Sequence, residues 1–293
     1  MSIFTGAGVA LVTPFYPDGS INFEKLRELI EWQIDSDTDA IIVCGTTGES
    51  AALSESEHTA VIKAAVEFTA GRVPVIAGAG SNDTAFCVRL SKEAESVGAD
   101  GLLSVTPYYN KTSQRGLIAH YTAQADAVNI PIIVYNVPSR TGVNVLPQTL
   151  KTLSEHKNIV AVKEASGNLS QVAEIAELCG NDIDIYSGND DQIVPVMSLG
   201  GKGVISVFSN ILPKKAHDIT EYCLDGKFEK ACDLQLKYLR LMNSLFMDVN
   251  PIPVKEAMNI LGLEVGPLRM PLIEMDDAKK AQLTAMLEEY KLI

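Results

Sequence analysis

Short apolar runs rich in β-forming residues recur eight times along the chain, at residues 9–14, 40–44, 74–79, 101–106, 131–137, 159–162, 183–186 and 203–207. Segments with helical apolar spacing separate them. Phe23, Leu26, Leu29, Ile30 and Ile34 fall on one face of residues 23–34, as do Val61, Ala65 and Phe68 within residues 55–68. Ser54-Glu55-Ser56-Glu57 fits a capping box, and Gly71, Gly98 and Gly180 stand where helices should stop. Helical crossovers force parallel pairing, and strands covered on both faces read as continuous apolar runs, as Ile132-Ile133-Val134 does. Eight such units predict an α/β fold, a (β/α)8 TIM barrel, over residues 1–225.

After the eighth run the pattern changes. Residues 213–224, 228–246, 254–261 and 276–290 all read as helices, punctuated by prolines at 251, 253, 267 and 271. Residues 226–293 are therefore expected to form a C-terminal helical subdomain or assembly surface. A doubly wound open sheet shares the strand–helix alternation but calls for a nucleotide fingerprint after the first strand. Gly78-Ala79-Gly80 lacks the third glycine, and Gly201-Lys202-Gly203 precedes a strand instead of opening a helix, so both read as turns.

Composition narrows the function classes. Hydrophobic residues make up 46% of the 293 and charged ones 21%, ordinary usage for a globular core. The 24 basic against 37 acidic residues give a net charge of −13, the wrong sign for holding a phosphate backbone, so nucleic acid is not an expected partner. Residues 1–13 lack a basic leader region and no stretch reaches the length of a spanning helix, so a cytoplasmic protein without membrane association is expected. The five cysteines include no close Cys-x-x-Cys pair and the four histidines no His-x-x-x-His spacing, so neither a disulfide framework nor a metal is expected.

In a barrel, chemistry gathers at the carboxyl ends of the strands. The second run ends in Cys44-Gly45-Thr46-Thr47-Gly48-Glu49-Ser50, where glycines let backbone N–H groups approach a small anion beside two hydroxyls. The fourth ends in Thr106-Pro107-Tyr108-Tyr109-Asn110 and the fifth in Tyr135-Asn136-Val137-Pro138-Ser139-Arg140-Thr141-Gly142. The sixth delivers Lys163, the seventh Ser187-Gly188-Asn189-Asp190, and the eighth Val204-Ile205-Ser206. Taken singly, each has an ordinary structural explanation: a lysine that snorkels, tyrosines with satisfied hydroxyls, an ion-paired arginine, a capped turn. Together, an amine, two phenols, an anion-binding turn and a guanidinium are what Schiff-base chemistry on a keto acid needs.

Gly45-Thr46-Thr47-Gly48-Glu49, the Tyr135–Gly142 segment and Val162-Lys163-Glu164-Ala165 resemble the motifs of the dihydrodipicolinate synthase family, pyruvate-dependent class I aldolase-type barrels. The likeness runs from Gly6-Ala7-Gly8-Val9 to Asn250-Pro251-Ile252-Pro253-Val254-Lys255 and Leu268-Arg269-Met270-Pro271-Leu272. It implies that Lys163 forms an imine with pyruvate, whose enamine attacks L-aspartate 4-semialdehyde in lysine and diaminopimelate biosynthesis, with no external cofactor. The resemblance further implies Tyr135 as proton donor and acceptor, linked through Thr46 to a Tyr109 supplied by a neighbouring subunit. Thr46 and Thr47 would hold the pyruvate carboxylate and Arg140 that of the semialdehyde, with Gly188, Asn189 and the backbone at Ile205 bordering the substrates. A homo-oligomer follows, a tetramer built as a dimer of dimers.

Two departures from the family pattern stand out. Asn189 replaces the first aspartate of a common Ser-Gly-Asp-Asp, removing a charge from that position. Glu55 and Phe86 stand where feedback-sensitive relatives carry a histidine and a glutamate, although Ser50, Ala51, His58, Asn82 and Tyr108 still match. Phe86 cannot accept from an effector's ammonium, so weak or absent lysine inhibition is expected. The nearest rival activity is another pyruvate-dependent lyase, acting on N-acetylneuraminate or a 2-keto-3-deoxy sugar acid. Arg140 and the Tyr-Tyr-Asn arrangement argue against it. A catalytically silent keto-acid-binding barrel is the rival from another class, opposed by the intact set of Lys163, Tyr135, Thr46 and Tyr109.

Overall fold

The computed structural model describes residues 2–293. Its centre is a closed barrel of eight parallel strands in sequence order: β1 (Gly6–Ala10), β2 (Ala40–Val43), β3 (Val75–Gly78), β4 (Gly101–Val105), β5 (Ile132–Asn136), β6 (Ile159–Glu164), β7 (Asp184–Ser187) and β8 (Gly203–Ser206). β1 closes the ring on β8, with Gly8 opposite Ile205. The barrel and the helices that follow its strands are those expected from the alternation. The local signals hold as well: Ser54 and Glu57 form the reciprocal capping box of the Glu55–Thr69 helix. Gly71, Gly98 and Gly180 all take positive φ just beyond helix ends.

The first strand lies earlier than residues 9–14. It begins at Gly6, and its glycines stand where this wall of the barrel is crowded. A Cβ on Gly8 would sit 2.6 Å from Ile42 Cδ1 and 3.0 Å from the Phe4 ring. β6, in turn, runs two residues further than expected and takes in Lys163 and Glu164. Polar character alone had ended the apolar run at Val162, whereas backbone pairing continues, Lys163 opposite Tyr135 and Glu164 opposite Asn136.

Two apolar layers hold the fold. The inner one fills the barrel with Phe4, Ile42, Ile76, Leu103, Ile133, Tyr186 and Ile205, among others. The outer one lies between strands and helices and extends to Leu241, Met242, Leu283 and Leu287 of the C-terminal helices. Side chains alternate along a strand, so Lys163 falls on the same face of β6 as Ala161 and Ala165, which belong to the inner layer. That register, set by burial of neighbouring apolar residues, aims a lysine into the barrel. The segment between the Phe228–Ser244 and Asp277–Glu289 helices carries Asn250, Lys255 and Arg269 back to the mouth of the barrel. No helix among the described residues is long and apolar enough to cross a membrane.

Candidate active site

Lys163 is only 5% exposed. It lines a cavity of about 170 Å3 together with Thr46, Tyr135, Arg140, Gly188 and Asn189. The Lys163 Nζ lies 4.4 Å from the centroid of the Tyr135 ring. Burial pulls the ammonium pKa down to about 8; the Asp190 carboxylate opposes the shift and the Arg140 charge adds to it. A lysine at its ordinary value has about one free amine in a thousand near neutral pH, so this fall makes the group a usable nucleophile.

Gly188 protects that geometry. A Cβ there would approach Ala165 Cβ to 2.6 Å and Lys163 Cε to 3.2 Å, so any larger residue would displace the lysine stem. Tyr135 is buried, which pushes its phenol pKa up, while the Arg140 charge and a hydrogen bond with Thr46 pull it back. The phenol is therefore protonated across the physiological range, as a proton donor must be.

The turn after β2, which carries the two threonines expected to hold a carboxylate, is closed by its own hydrogen bonds. Glu49 N–H donates to Thr46 O at 3.1 Å, and Ser50 N–H to Gly45 O at 3.3 Å. Thr13 Oγ1 donates to Gly48 O at 2.7 Å. Thr47 is buried and its hydroxyl accepts from Asn250 Nδ2 at 3.0 Å. Arg140 sits in the helical turn Pro138–Thr141 after β5, where its Nη2 donates to Asn250 O at 3.2 Å. One asparagine thus ties the two expected carboxylate holders together.

Thr46, Thr47, Tyr135, Arg140, Lys163, Gly188 and Asn189 all meet in this one cavity. Two expected site residues lie elsewhere. Ile205 is fully buried in the inner layer and borders neither cavity. Tyr109 is 91% exposed, at a left-handed φ of 69° on the loop after β4, away from the site of its own chain.

A second, larger cavity of about 520 Å3 shares Thr46, Tyr135 and Arg140 with the first. It extends outward past Ser50, Ala51, Glu55, His58, Phe86 and Tyr108 and does not include Lys163. The smaller cavity is the one that holds the buried amine and is therefore the candidate site.

Sequence reasoning gave no role to several residues of the site. Asp190 is buried; its Oδ2 accepts from the backbone N–H groups of Val207 and Phe208 at 3.0 and 2.9 Å, and its Oδ1 has no hydrogen-bond partner among the described residues. Glu164 is buried beside Lys163 and accepts from Asn136 Nδ2, Gln171 Nε2 and Ser166 N–H, which stiffens the end of β6. Asn250 and the buried Glu49–Lys255 pair come from segments whose motifs were legible but whose contacts were not. Among the described residues no group of three His, Cys, Asp or Glu side chains could hold a metal ion.

The site can therefore hold a small carboxylate at the Thr46–Thr47 turn, attack its neighbouring carbonyl with an amine, and exchange protons through a phenol. Comparisons with known proteins bear on which reaction this serves. A relative from Caldicellulosiruptor saccharolyticus, named 4-hydroxy-tetrahydrodipicolinate synthase, is 60% identical over 290 residues, which cover 99% of this chain and 98% of the relative. A protein of the same name from a Thermoanaerobacter species is 57% identical, covering 100% of this chain and 99% of its own. Among solved structures, dihydrodipicolinate synthase from Aquifex aeolicus superposes with a TM-score of 0.96 at 45% identity, with 99% of each chain covered. The profile described as "Dihydrodipicolinate synthetase family" matches residues 3–290, and the chain belongs to that family.

Proposed function

We propose that the chain is a 4-hydroxy-tetrahydrodipicolinate synthase that joins pyruvate to L-aspartate 4-semialdehyde through an imine on Lys163. The observation that carries this reading is the Lys163 amine, buried, lowered to a pKa of about 8 and facing Tyr135 in a cavity that also holds Arg140. Relatives of that name at 60% and 57% identity over nearly the full chain support it.

The unprotonated Lys163 amine adds to the ketone carbon of pyruvate, whose carboxylate rests on the Thr46–Thr47 turn. Tyr135 donates its proton to the developing alkoxide, water leaves, and an iminium remains. That cation draws electrons from the adjacent C–H bond, so transfer of a methyl proton to the Tyr135 phenolate gives an enamine, a carbon nucleophile, and restores the phenol. Its terminal carbon attacks the aldehyde carbon of the semialdehyde, whose carboxylate pairs with Arg140 in the planar fork that suits it. Tyr135 or the relay behind it protonates the new oxygen. The substrate's own amine then attacks the iminium carbon, the C–N bond to Lys163 breaks, and the ring closes with the lysine regenerated. No external cofactor enters these steps.

Tyr109 completes the relay only if it reaches Thr46 of another copy, and its exposure in the single chain supports that arrangement. The working assembly is then a homo-oligomer, a tetramer made of two such dimers. Among the structural neighbours one is titled a monomeric variant of this enzyme, at 40% identity and a TM-score of 0.97. A sugar-acid lyase on the same scaffold would share Lys163 and Tyr135 but have no use for Arg140.

Borohydride reduction in the presence of pyruvate, followed by peptide mass spectrometry, tests the reading. A stable adduct on Lys163 is expected, and ring formation should appear when semialdehyde is added without borohydride. No adduct would favour a binding protein, and an adduct without ring formation would favour a lyase.

A further inference from the structure

Glu49 and Lys255 form an ion pair at 2.8 Å in which each side chain is only 1% exposed. Beyond Glu49 Oε1, Lys255 Nζ donates to Thr13 O at 3.0 Å and Pro267 O at 2.6 Å. The other carboxylate oxygen of Glu49 accepts from Arg269 N–H at 2.9 Å. The Lys255 ammonium and the Arg269 guanidinium each lie 4.4 Å from the centroid of the Phe15 ring. Each carboxylate oxygen and all three ammonium hydrogens of the pair are thus used, and little of either side chain meets solvent.

A pair of this kind adds little net stability over two apolar side chains of similar size, because desolvation offsets the attraction. What it adds is direction: an ammonium with three partners and a carboxylate with two tolerate one arrangement only. The arrangement bears directly on the site. Glu49 closes the Thr46-Thr47-Gly48-Glu49 turn in a left-handed conformation at φ 53°, an uncommon geometry for a residue with a Cβ. Thr13, whose carbonyl Lys255 holds, grips Gly48 O through its hydroxyl. Lys255 therefore holds the end of the turn by two routes, directly at Glu49 and through Thr13 at Gly48, and the pair ties that turn to the C-terminal segment, Lys255 through Pro267 O and Glu49 through Arg269 N–H.

We propose that Glu49 and Lys255 are positioning residues for catalysis: their buried pair sets the Thr46–Thr47 turn, and so the seat of the first substrate's carboxylate, from the C-terminal segment of the chain. This rests on the imine reading of Lys163. Neither residue touches substrate; both act through the threonines. The helical tail is then a part of the active site at one remove, and the shape of the carboxylate seat depends on its docking.

The test is the double variant Glu49→Leu/Lys255→Met, which leaves no buried charge unpaired, measured beside the parent protein. Melting temperature reports folding. The pyruvate concentration giving half-maximal borohydride trapping on Lys163 reports the carboxylate seat, and the KM for semialdehyde reports the neighbouring Arg140. Near-parental melting is expected, with half-saturation by pyruvate raised at least about tenfold, since small displacements of a positioning group cost rate and binding on this scale. The semialdehyde KM should move much less. A folded double variant with parental pyruvate dependence overturns the proposal, as does an equal rise in both substrate constants. If the double variant does not fold, the isosteric Glu49→Gln serves: it turns one acceptor oxygen into a donor and should raise pyruvate half-saturation several-fold, and no change would overturn the proposal. Absence of any adduct on the parent protein would instead remove the imine reading itself.

Discussion

Lys163 and Tyr135 are register partners on adjacent strands, and the lysine Nζ stands over the Tyr135 ring at 4.4 Å from its centroid. The amine meets the face of the ring, so one side chain serves two purposes. Its π-face suits the cation that the proposed imine would carry, and its hydroxyl, neighbouring Thr46, is left for the proposed proton exchange.

Tyr135→Phe separates these purposes. The ring stays and the proton donor goes, so the rate of ring formation should fall by about 10²–10⁴-fold. The pyruvate adduct on Lys163 should still be trapped, more slowly. Steady-state kinetics together with single-turnover trapping check both parts; an unchanged rate would exclude Tyr135 as the proton carrier.

The trapping rate with pyruvate alone should rise with pH and level off above about 8, the pKa of Lys163, because only the free amine attacks. Of the charges that act on it, Asp190 raises this pKa and Arg140 lowers it. Arg140→Met should therefore move the acidic limb to higher pH, and Asp190→Asn should move it to lower pH. Trapping profiles of the three proteins, followed without the second substrate, give the signs directly.

Burying Lys163 has a cost in stability. Its pKa falls from an ordinary 10.5 to about 8, so the folded state binds fewer protons than the unfolded state between these values. The penalty is absent above about pH 10.5, grows as pH falls, and is complete below about pH 8, where a shift of this size corresponds to on the order of 3 kcal/mol. Lys163→Met should accordingly abolish activity and raise the melting temperature at pH 7, with the gain shrinking toward pH 10.5. Thermal denaturation across that range checks the sign.

L-lysine should inhibit weakly or not at all. Ser50, Ala51, His58 and Tyr108 line the larger cavity, but Phe86 supplies a hydrocarbon where an ammonium would need an acceptor. The Arg89 guanidinium lies 5.0 Å from the Phe86 ring centroid and 3.7 Å from Glu55, so the nearby carboxylate already faces a cation. Initial rates with millimolar lysine should match those without it; strong inhibition would show that other groups receive the ammonium.

Tyr109→Phe and Lys163→Ala should each be severely impaired alone. Unfolding and refolding them as a mixture should restore activity if Tyr109 serves the neighbouring copy, because some sites would then combine an intact lysine with an intact tyrosine. No recovery in mixed oligomers would show that Tyr109 does not serve a neighbouring copy.

Periodicity carried the architecture. Alternating apolar runs and amphipathic helices required a parallel barrel, and the barrel assigned chemistry to the strand ends, so Thr46, Thr47, Tyr135, Arg140, Lys163, Gly188 and Asn189 could be gathered before any contact was seen. These patterns are local: each depends on residues a few positions apart, and the 2.0 and 3.6 periods leave them visible in one dimension. Boundaries failed where local character misled. The first strand begins at Gly6, ahead of the apolar run, and Lys163 looked like a strand's exposed tip but lies within β6 and is buried.

The tertiary structure decided what depends on distance along the chain. The depressed pKa of Lys163 comes from the desolvation supplied by the inner layer and from the Arg140 charge, against the pull of Asp190, and no window of sequence contains that balance. Glu49 and Lys255 are 206 positions apart, and Thr47 and Asn250 are 203 apart. Each residue read alone is a surface charge or a loop polar group. Only closure of the barrel and return of the C-terminal segment to its mouth place them in contact, and low dielectric then strengthens the polar contacts that result.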